Sequence, residues 1–480
     1  MRDVADLARS RPGVAEQFSR QQQALLQHEF GEGGAGLLEQ ALRLARAEAR
    51  ARRDFGQAEI VAAKRGHHVG AHEIEASRRV APSARERRVL GVGAKQQADE
   101  IGAAGRDVEI RVVDRNPYHN IRVRNYEADL SEVALPLPQL LDPIGVTHGI
   151  GEVEAIDPAR REISLVTSGG EETLSYDRLV LALGSEVMRP AIPGLAEHAF
   201  DVDTYAAALI LENHLVSLGH SAPSPGRSTV VVVGAGFTGI EVAAEMPDRP
   251  ARAGITGSRR IVLVDPNPAV GATIGAHARP VIETALASLD VETRLGVRVV
   301  SVEAAGMRLS SGEFIPAQTV IWCAGMRASR LAESFAGARD RLGRLLVDPF
   351  MRVADVPGVF AAGDVASSVV DGLHPTVMSC QFARPMGRFA GHNVVADLAG
   401  LPMLPLRIDW YVTVLDLGGW GALYTEGWDR EVRATGAAAK ATKQTINCKR
   451  IYPPLTGSKA ELFAAAAPTV QAPPPTYGAR

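Results

Sequence analysis

The chain has few cysteines, no long apolar run and almost no net charge, and each absence removes a class of protein. Its 480 residues include three cysteines, Cys323, Cys380 and Cys448. Their odd number and wide spacing indicate neither a disulfide framework nor a Cys-x-x-Cys metal site. No stretch reaches the roughly 18 consecutive apolar residues of a membrane-spanning helix. A net charge of −3 and a pI of about 6.5 give no sign of nucleic-acid binding.

The composition that remains is that of an ordinary soluble chain. Hydrophobic residues make up 46% and charged residues 22%, which excludes wholesale disorder and collagen-like repeats. The length suggests about three domains. The first residues, MRDVADLARSRPG, contain no apolar run of the kind found in signal peptides, so we expect a cytoplasmic protein.

The most informative segment is a strand that runs directly into a glycine-rich loop. The apolar run Thr229–Val233 predicts a buried parallel strand, and the sequence GAGFTG follows it. Gly234 permits a tight turn, Gly236 lets the backbone approach a pyrophosphate, and Gly239 lets the next helix pack closely on the strand. That helix would offer its free N–H groups to phosphate oxygens. The pattern therefore predicts a dinucleotide site.

An acidic residue follows the next predicted strand, Ile261–Val264. Asp265 stands where a carboxylate can accept hydrogen bonds from an adenosine ribose. It lies 26 residues after Gly239, where about 20 is usual, and we interpret residues 248–260 as a longer loop. Because a carboxylate repels a 2′-phosphate, Asp265 favours NADH over NADPH.

Four more apolar runs end in Gly or Asp and predict a second nucleotide site around the first. Any one of them is most simply a turn between a strand and a helix, but four in order around a glycine-rich unit are not. They are 108–113 before Asp114, 179–183 before Gly184, 320–324 before Gly325, and 359–362 before Gly363 and Asp364. A helix is expected at 381–399.

These pieces resemble the two-dinucleotide flavoprotein disulfide-reductase superfamily. Within it, the chain looks most like the type II NADH dehydrogenases, also called NADH:quinone oxidoreductases. The resemblance covers about residues 92–430, and its most specific motifs are DRNPYH at 114–119, GAGFTGIE at 234–241, WCAG at 322–325 and AGD at 362–364.

The resemblance implies an α/β fold of two Rossmann-like domains, with the NAD domain inserted in the FAD domain. The predicted divisions are an anomalous Ala- and Arg-rich segment at 1–90, the first part of the FAD domain at 91–221, the NAD domain at 222–316, the second part of the FAD domain at 317–400, a C-terminal flavin-site region at 401–467 and a Pro-rich tail at 468–480.

It also implies roles for individual residues. Asp114 would bind the adenosine ribose of FAD and Asp364 its ribityl chain. Glu241 matches a glutamate near the nicotinamide, although a residue stabilised by the helix dipole is an equally good interpretation. Gln381 matches a glutamine close to the flavin and the quinone. The implied reaction passes a hydride from NADH to FAD and electrons onward to a quinone or another acceptor.

The chain departs from the family pattern on the acceptor side. The motif around Gln381 usually carries further Gln or Glu residues, but this chain has Arg384, Pro385 and Met386, which leaves the acceptor open. A disulfide reductase would need a close cysteine pair, and a sulfide:quinone oxidoreductase would need a cysteine in the first half of the chain. Neither is present.

A larger departure lies upstream of Asp114. Residues 81–88 predict no strand, and the nearest substitute, 89–93, has a two-residue apolar run, with Gln96 at the position of the third glycine. We therefore expect the first strand–helix unit of the FAD domain to be missing or degenerate. Residues 1–90 would then be foreign to the family, or a divergent helical extension. The alternative function is an NADH-binding pseudoenzyme or truncated product that lacks FAD.

The two ends of the chain carry weaker signals. Near the N-terminus, Leu residues at 37–44 suggest part of a helix through residue 53, and the His-rich segment 67–73 lacks ligand spacing, so no metal site is predicted. Near the C-terminus, basic residues on a weakly apolar helix allow either peripheral contact with the inner face of the cell membrane or a solvated helix end; they are Lys440, Lys443, Lys449 and Arg450. The tail is expected to be disordered, and a homodimer is compatible with the pattern.

Overall fold

A computed structural model of the chain describes residues 87–90, 108–255 and 259–476, the first of these ranges by its backbone. Together they form an α/β protein. Its strands, in chain order, are β1 (Arg87–Leu90), β2 (Val108–Asp114), β3 (Tyr118–Asn120), β4 (Ala134–Pro136), β5 (Thr147–Ile150), β6 (Glu152–Asp157), β7 (Glu162–Thr167), β8 (Gly170–Ser175), β9 (Arg178–Leu181), β10 (Ser185–Val187), β11 (Ala199–Phe200), β12 (Thr229–Val233), β13 (Arg260–Asp265), β14 (Val291–Leu295), β15 (Val299–Glu303), β16 (Gly306–Leu309), β17 (Phe314–Pro316), β18 (Thr319–Trp322), β19 (Met326–Ala328), β20 (Leu345–Leu346), β21 (Val359–Ala361), β22 (Ala366–Ser367), β23 (Val412–Asp416), β24 (Ala422–Glu426) and β25 (Glu431–Thr435).

The helices are mostly short and connect or cover the strands. In chain order they are α1 (Leu137–Leu141), α2 (Leu195–His198), α3 (Tyr205–His220), α4 (Phe237–Glu245), α5 (Arg249–Arg252), α6 (Arg279–Ser288), α7 (Cys380–Ala399), α8 (Gly436–Thr445) and α9 (Lys459–Ala466). A π-helical turn at Ile446–Arg450 continues α8. The helix predicted at 381–399 is therefore present as α7 and starts one residue earlier.

The first large sheet has five parallel strands in the order β21-β9-β1-β2-β5. Its carboxyl edge carries Asp114 at the end of β2, Gly184 three residues after β9, and Gly363 and Asp364 after β21. In an open parallel sheet this edge is where ligands bind. The fold thus gathers the residues expected to hold FAD from three distant parts of the sequence.

The central strand of this sheet corrects the sequence analysis. We expected no strand at 81–88 and a first strand–helix unit that is missing or degenerate, but β1 lies between β2 and β9, with Arg87 opposite Val108 and Leu90 opposite Leu179. Parallel neighbours on both sides supply ladder hydrogen bonds, so four residues with only two apolar side chains can occupy the position. The sheet does not lack its middle strand. Gly91, Gly93 and Gln96 lie outside the described residues.

The second large sheet is also parallel, with the order β11-β18-β12-β13-β14. All five residues of β12 are buried, as the unbroken run of valines predicted. The sheet includes β11 and β18, so it extends beyond the predicted limits 222–316 of the NAD domain on both sides. The expected long loop after α4 contains the short helix α5.

The C-terminal antiparallel strands pack on α4, the helix that follows β12. The antiparallel sheet β23-β24-β25 places Leu415 and Leu423 in one core with Ile240 and Val242 of α4. A Cβ added at Gly418 would lie only 2.0 Å from the carbonyl oxygen of Ala244, so this approach requires glycine. Contact this close fixes the C-terminal region on α4.

The tail is placed along the protein rather than disordered as far as residue 476. Thr442 Oγ1, which is fully buried, donates to the carbonyl of Pro475 at 3.0 Å, and Val470 packs on the first core. Within the described ranges, no helix combines the length and apolarity needed to cross a membrane. The predicted helix near residues 37–53 and the histidines at 67–73 lie outside those ranges.

Candidate functional site

The glycine loop after β12 has the geometry predicted for a dinucleotide site. Gly234 has a φ of +107°, which disfavours any other residue. A Cβ added at Gly239 would lie 1.6 Å from the carbonyl oxygen of Gly234, so only glycine allows α4 to pack here. A Cβ at Gly236 would meet nothing within 4 Å. The loop is thus tightly packed on its inner side and open where a pyrophosphate would approach.

Asp265 lies at the end of β13 and contacts this loop directly. Its Oδ2 accepts a hydrogen bond from the N–H of Ala235 at 2.6 Å, and its Oδ1 accepts one from the N–H of Asn267 at 2.7 Å. The side chain is 7% exposed. Asp265 therefore fixes the glycine loop in addition to the ribose contact predicted for it, and its two oxygens keep lone pairs for that contact.

The same local arrangement recurs in the first sheet. Asp114 at the end of β2 accepts hydrogen bonds from the backbone N–H of Asn116 at 2.7 Å and from its side-chain amide at 3.3 Å. Both sites share the sequence Asp-x-Asn-Pro after the second strand of their unit. The repeated turn thus places one carboxylate at the end of β2 and one at the end of β13.

The strand ends of the first sheet bring the other expected FAD residues together. Asp364 Oδ2 accepts from Ser185 Oγ at 2.7 Å, and Arg122 Nη1 donates to the same hydroxyl at 2.9 Å. Gly184 and Gly363 both have a positive φ, 68° and 74°. A Cβ at Gly184 would meet nothing within 4 Å. The open space and the polar groups beside it fit the ribityl and phosphate portions of FAD.

Two hydrogen bonds connect the loop after β10 to β18 and the segment that follows it. Gly325 follows β18 with a φ of 85°, and its carbonyl accepts from the N–H of Met188 at 3.0 Å. The indole of Trp322 donates to the carbonyl of Met188 at 2.8 Å. The loop after β10 is thereby fastened to the last strand of the NAD sheet.

Glu241 is part of a buried ion pair that sequence reasoning missed. Its Oε1 lies 2.7 Å from Nζ of Lys443 on α8 and accepts from the N–H of Asp416 at 3.0 Å. Lys443 also donates to the carbonyl of Val414 at 3.1 Å. Burial raises the pKa of Glu241, and the lysine charge opposes that shift without cancelling it. No local signal could have revealed Lys443, because 202 residues separate the partners.

More titratable groups surround this pair. Lys440 Nζ lies 2.5 Å from Asp416 Oδ1 and 3.6 Å from Glu245. The hydroxyl of Tyr126 is buried and has no hydrogen-bond partner within the described part of the chain, and burial together with the charge of Glu241 raises its pKa. Two of the four basic residues expected at a membrane surface or a solvated helix end thus point inward to carboxylates.

Gln381 joins α7 to the C-terminal region through both ends of its amide. Its Nε2 donates to the carbonyl of Trp410 at 3.2 Å, and its Oε1 accepts from the N–H of Val412 at 3.3 Å. The adjacent Cys380 is partly exposed, and burial raises the pKa of its thiol. Cys323 likewise has a raised pKa, so neither thiol is activated.

Arginines occupy the face of α7 beyond Gln381. Burial and the charges of Arg388 and Arg450 lower the pKa of Arg384 to about 10. Among the described residues these three arginines meet no carboxylate. Instead, Arg384 donates to Gln471 Oε1 at 3.0 Å, Arg388 to the carbonyl of Thr469 at 3.2 Å, and Arg450 to the carbonyl of Ala472. The tail covers this arginine cluster with neutral oxygens.

The fold and the paired strand-end sites define a flavoprotein with two dinucleotide-binding domains. Residues 90–387 match the family described as pyridine nucleotide-disulphide oxidoreductase. An NADH dehydrogenase-like protein of Mycobacterium tuberculosis is 56% identical over 383 residues, which is 79% of this chain and 95% of the relative. A type II NADH:quinone oxidoreductase of the same organism is 29% identical over 66% of this chain and 74% of its own.

Solved structures show the same fold. NDH2 of Plasmodium falciparum superposes with a TM-score of 0.62 at 12% identity, covering 80% of this chain and 98% of its own. The sulfide:quinone oxidoreductase of Aquifex aeolicus gives 0.61 at 17% identity, covering 78% and 93%.

The chain therefore belongs to the pyridine nucleotide-disulphide oxidoreductase family. It is an oxidoreductase whose cofactors are FAD and NAD, and the predicted family, fold and cofactors are confirmed. The alternative of a pseudoenzyme that lacks FAD finds no support in these relatives. The match begins at residue 90, the last residue of β1.

Proposed function

We propose that the protein is an NADH:quinone oxidoreductase. The observation that carries the proposal is the presence of two parallel sheets with acidic residues at their strand ends, Asp265 beside the glycine loop of one and Asp114 and Asp364 on the other. Its relatives are named as NADH dehydrogenase-like and as type II NADH:quinone oxidoreductases. Bound FAD supplies the hydride-accepting chemistry, and the protein binds and aligns the reactants.

Separate sets of residues hold NADH and FAD. The glycine loop and the N-terminus of α4 hold the NADH pyrophosphate, and Asp265 fixes that loop and selects a ribose without a 2′-phosphate. Asp364, oriented by Ser185, holds the FAD side chain. Asp114 faces the adenosine end.

The reaction also needs a proton from the protein. NADH, one proton and a quinone give NAD⁺ and a quinol, so the hydride alone does not balance the product. Glu241 and Lys443 form a buried pair, and burial raises the pKa of the glutamate above its usual range. We assign the proton supply to this pair, in place of the dipole-stabilised helix residue that the sequence also allowed for Glu241.

The test separates the two half-reactions. The purified chain should show a flavin absorption spectrum that NADH bleaches, and a naphthoquinone should restore the colour. In Glu241→Gln, bleaching by NADH should continue at a similar rate while the return of colour slows by roughly 100-fold, in the range for lost general acid catalysis. A colourless protein, or a bleached flavin that no quinone reoxidises, would contradict the proposal.

The second candidate function transfers the electrons to an acceptor other than a neutral quinone, and Arg384 favours it. The family that the sequence resembles usually carries Gln or Glu in this part of α7, where this chain has an arginine. With a pKa of about 10, Arg384 stays protonated at neutral pH. A panel of neutral quinones, anionic quinones and ferricyanide at matched driving force would decide between them.

Peripheral membrane contact and a homodimer remain predictions. Lys449 is exposed and Leu455 is half-exposed beside it, whereas Lys440 and Lys443 are held in internal ion pairs. Sedimentation with anionic and neutral vesicles tests the first prediction, and light scattering of the purified protein tests the second.

A further inference from the structure

Arg430 stands out because of its backbone and its side chain together. It closes the turn between β24 and β25 with a φ of 54°, a left-handed conformation that a non-glycine residue seldom adopts. Its N–H donates to the carbonyl of Gly427 at 3.0 Å. A turn alone would explain the backbone, so the side chain decides whether the residue has a further role.

The guanidinium is held between two aromatic rings but is not satisfied. Its carbon lies 5.4 Å from the ring centre of Phe237 and 5.6 Å from that of Tyr411. Nη2 donates to the Tyr411 hydroxyl at 3.1 Å. Nη1 is buried and has no hydrogen-bond partner among the described residues. Because burying a charged donor without an acceptor costs free energy, we expect this nitrogen to have a hydrogen-bond acceptor in a bound ligand.

The side chain that carries the unsatisfied nitrogen lies against the start of α4. Phe237 is the first residue of α4 and directly follows Gly236. On the other side, a Cβ added at Gly275 would lie 3.8 Å from both Cβ and Cδ of Arg430. Arg430 therefore lies between the start of the phosphate-binding helix and the loop after Asp265, although it comes from the C-terminal region.

The surrounding contacts hold Arg430 in this position. The turn before β24 packs on α4 at Gly418 and Ala244, and the N–H of Asp416 donates to Glu241 of the same helix. Since these contacts join the hairpin to α4 rather than to a loop, the guanidinium keeps its place relative to the helix N-terminus.

We infer that Arg430 binds the pyrophosphate of NADH, a contact contributed by the C-terminal region to the NAD site. The helix N-terminus and the glycine loop already favour an anion there, and a guanidinium fork matches phosphate oxygens. Tyr411 orients the fork through Nη2 and leaves Nη1 for the ligand. The inference rests on the proposed use of NADH.

Calorimetric titration of the oxidised, FAD-loaded protein with ADP-ribose tests this contact without turnover, because ADP-ribose carries the pyrophosphate but no nicotinamide. Arg430→Gln should weaken ADP-ribose binding by roughly 10- to 100-fold, the value of a hydrogen bond to a charged group. Arg430→Lys should lose less, because it keeps the charge but not the fork. Both replacements are unbranched, so the cost of the left-handed backbone changes little.

Arg433→Gln is the matched control on the same hairpin. Arg433 is exposed and already paired with Glu426 at 3.2 Å and Glu431 at 2.8 Å, so its loss should leave ADP-ribose binding unchanged. Flavin absorbance and the melting temperature of each variant report whether the fold is intact.

Three results would overturn the inference. Wild-type affinity in Arg430→Gln would show that the nitrogen has no ligand in the dinucleotide. Weaker binding of NAD⁺ with unchanged binding of ADP-ribose would move the contact to the nicotinamide half. No ADP-ribose or NAD⁺ binding by the wild-type protein would overturn both this inference and the proposed use of NADH, whereas the first two results leave that proposal standing.

Discussion

Replacing Lys443 with Met should destabilise the protein in a manner that depends on pH. The substitution keeps the length of the side chain but removes the ammonium 2.7 Å from Glu241, and the two side chains are only 9% and 11% exposed. Removing one partner of a buried ion pair costs about 3–5 kcal/mol, because the other charge stays buried without compensation. Asp416 would still donate its N–H to the glutamate. We therefore expect the loss in free energy of unfolding to lie at the lower end of this range.

The pH dependence follows from the pKa of Glu241. Burial already raises that pKa, and without Lys443 it rises further. A glutamate with a folded-state pKa above its unfolded value loses stability as pH rises through the folded pKa. The cost grows by about 1.4 kcal/mol per pH unit between the two values. Lys443→Met should therefore be close to wild type near pH 5 and clearly less stable near pH 8.

Thermal melts at both pH values provide the measurement. Lys449→Met, which removes an exposed lysine six residues away, should show little change at either pH. Glu241→Gln added to Lys443→Met should recover most of the loss at pH 8, because the amide carries no charge. An equal loss at both pH values, or a double variant as unstable as Lys443→Met, would refute the account of the pair.

Four further substitutions test other parts of the site. Gly236→Ala should fold normally, since its Cβ meets nothing within 4 Å, but it should bind NADH more weakly because the methyl group enters the space for the phosphates. Gly239→Ala places a Cβ 1.6 Å from a carbonyl oxygen, so it should lose stability as well. Melting curves and NADH titrations of the two variants provide the comparison. Gln381→Leu removes two backbone hydrogen bonds, worth about 1 kcal/mol each, and should raise the KM for quinone while leaving bleaching of the flavin by NADH unchanged in stopped-flow traces. Arg384→Gln should lower the rate with naphthoquinone sulfonate several-fold relative to unsubstituted naphthoquinone, whereas Arg407→Gln, an exposed arginine paired with Asp409, should not change that ratio.

The NAD site could be predicted because its parts are contiguous in the chain. β12, three glycines and α4 occupy residues 229–245, and each glycine has a steric reason that acts within a few residues. The strand ends at Asp114 and Asp364 were recognisable for the same reason, since an apolar run followed by Gly or Asp is a local pattern. The parallel pairing of β2, β1, β9 and β21 then places both strand ends at one edge of the sheet.

The C-terminal contributions could not be predicted in this way. Lys443, Asp416 and Arg430 carry no motif, and each acquires its role only when the hairpin packs on α4, about 200 residues earlier in the chain. The basic residues at 440–450 were read from their spacing as a surface, but two of them face buried carboxylates. A charge pattern on a short helix does not reveal which face is covered.

The error at β1 has a different origin. A strand was judged from its own apolar length, and Arg87–Leu90 has only two apolar residues. In the middle of a parallel sheet, however, the neighbouring strands supply the hydrogen bonds on both sides, and β2 and β9 are themselves well-formed strands in register with it. The requirement on the central strand is therefore mainly that its backbone can extend. A short segment with few apolar residues can therefore form a strand between two neighbouring strands, although it would not do so at a sheet edge. The first strand of the FAD domain should be sought by its distance in sequence from the next strand, and not by hydrophobicity alone.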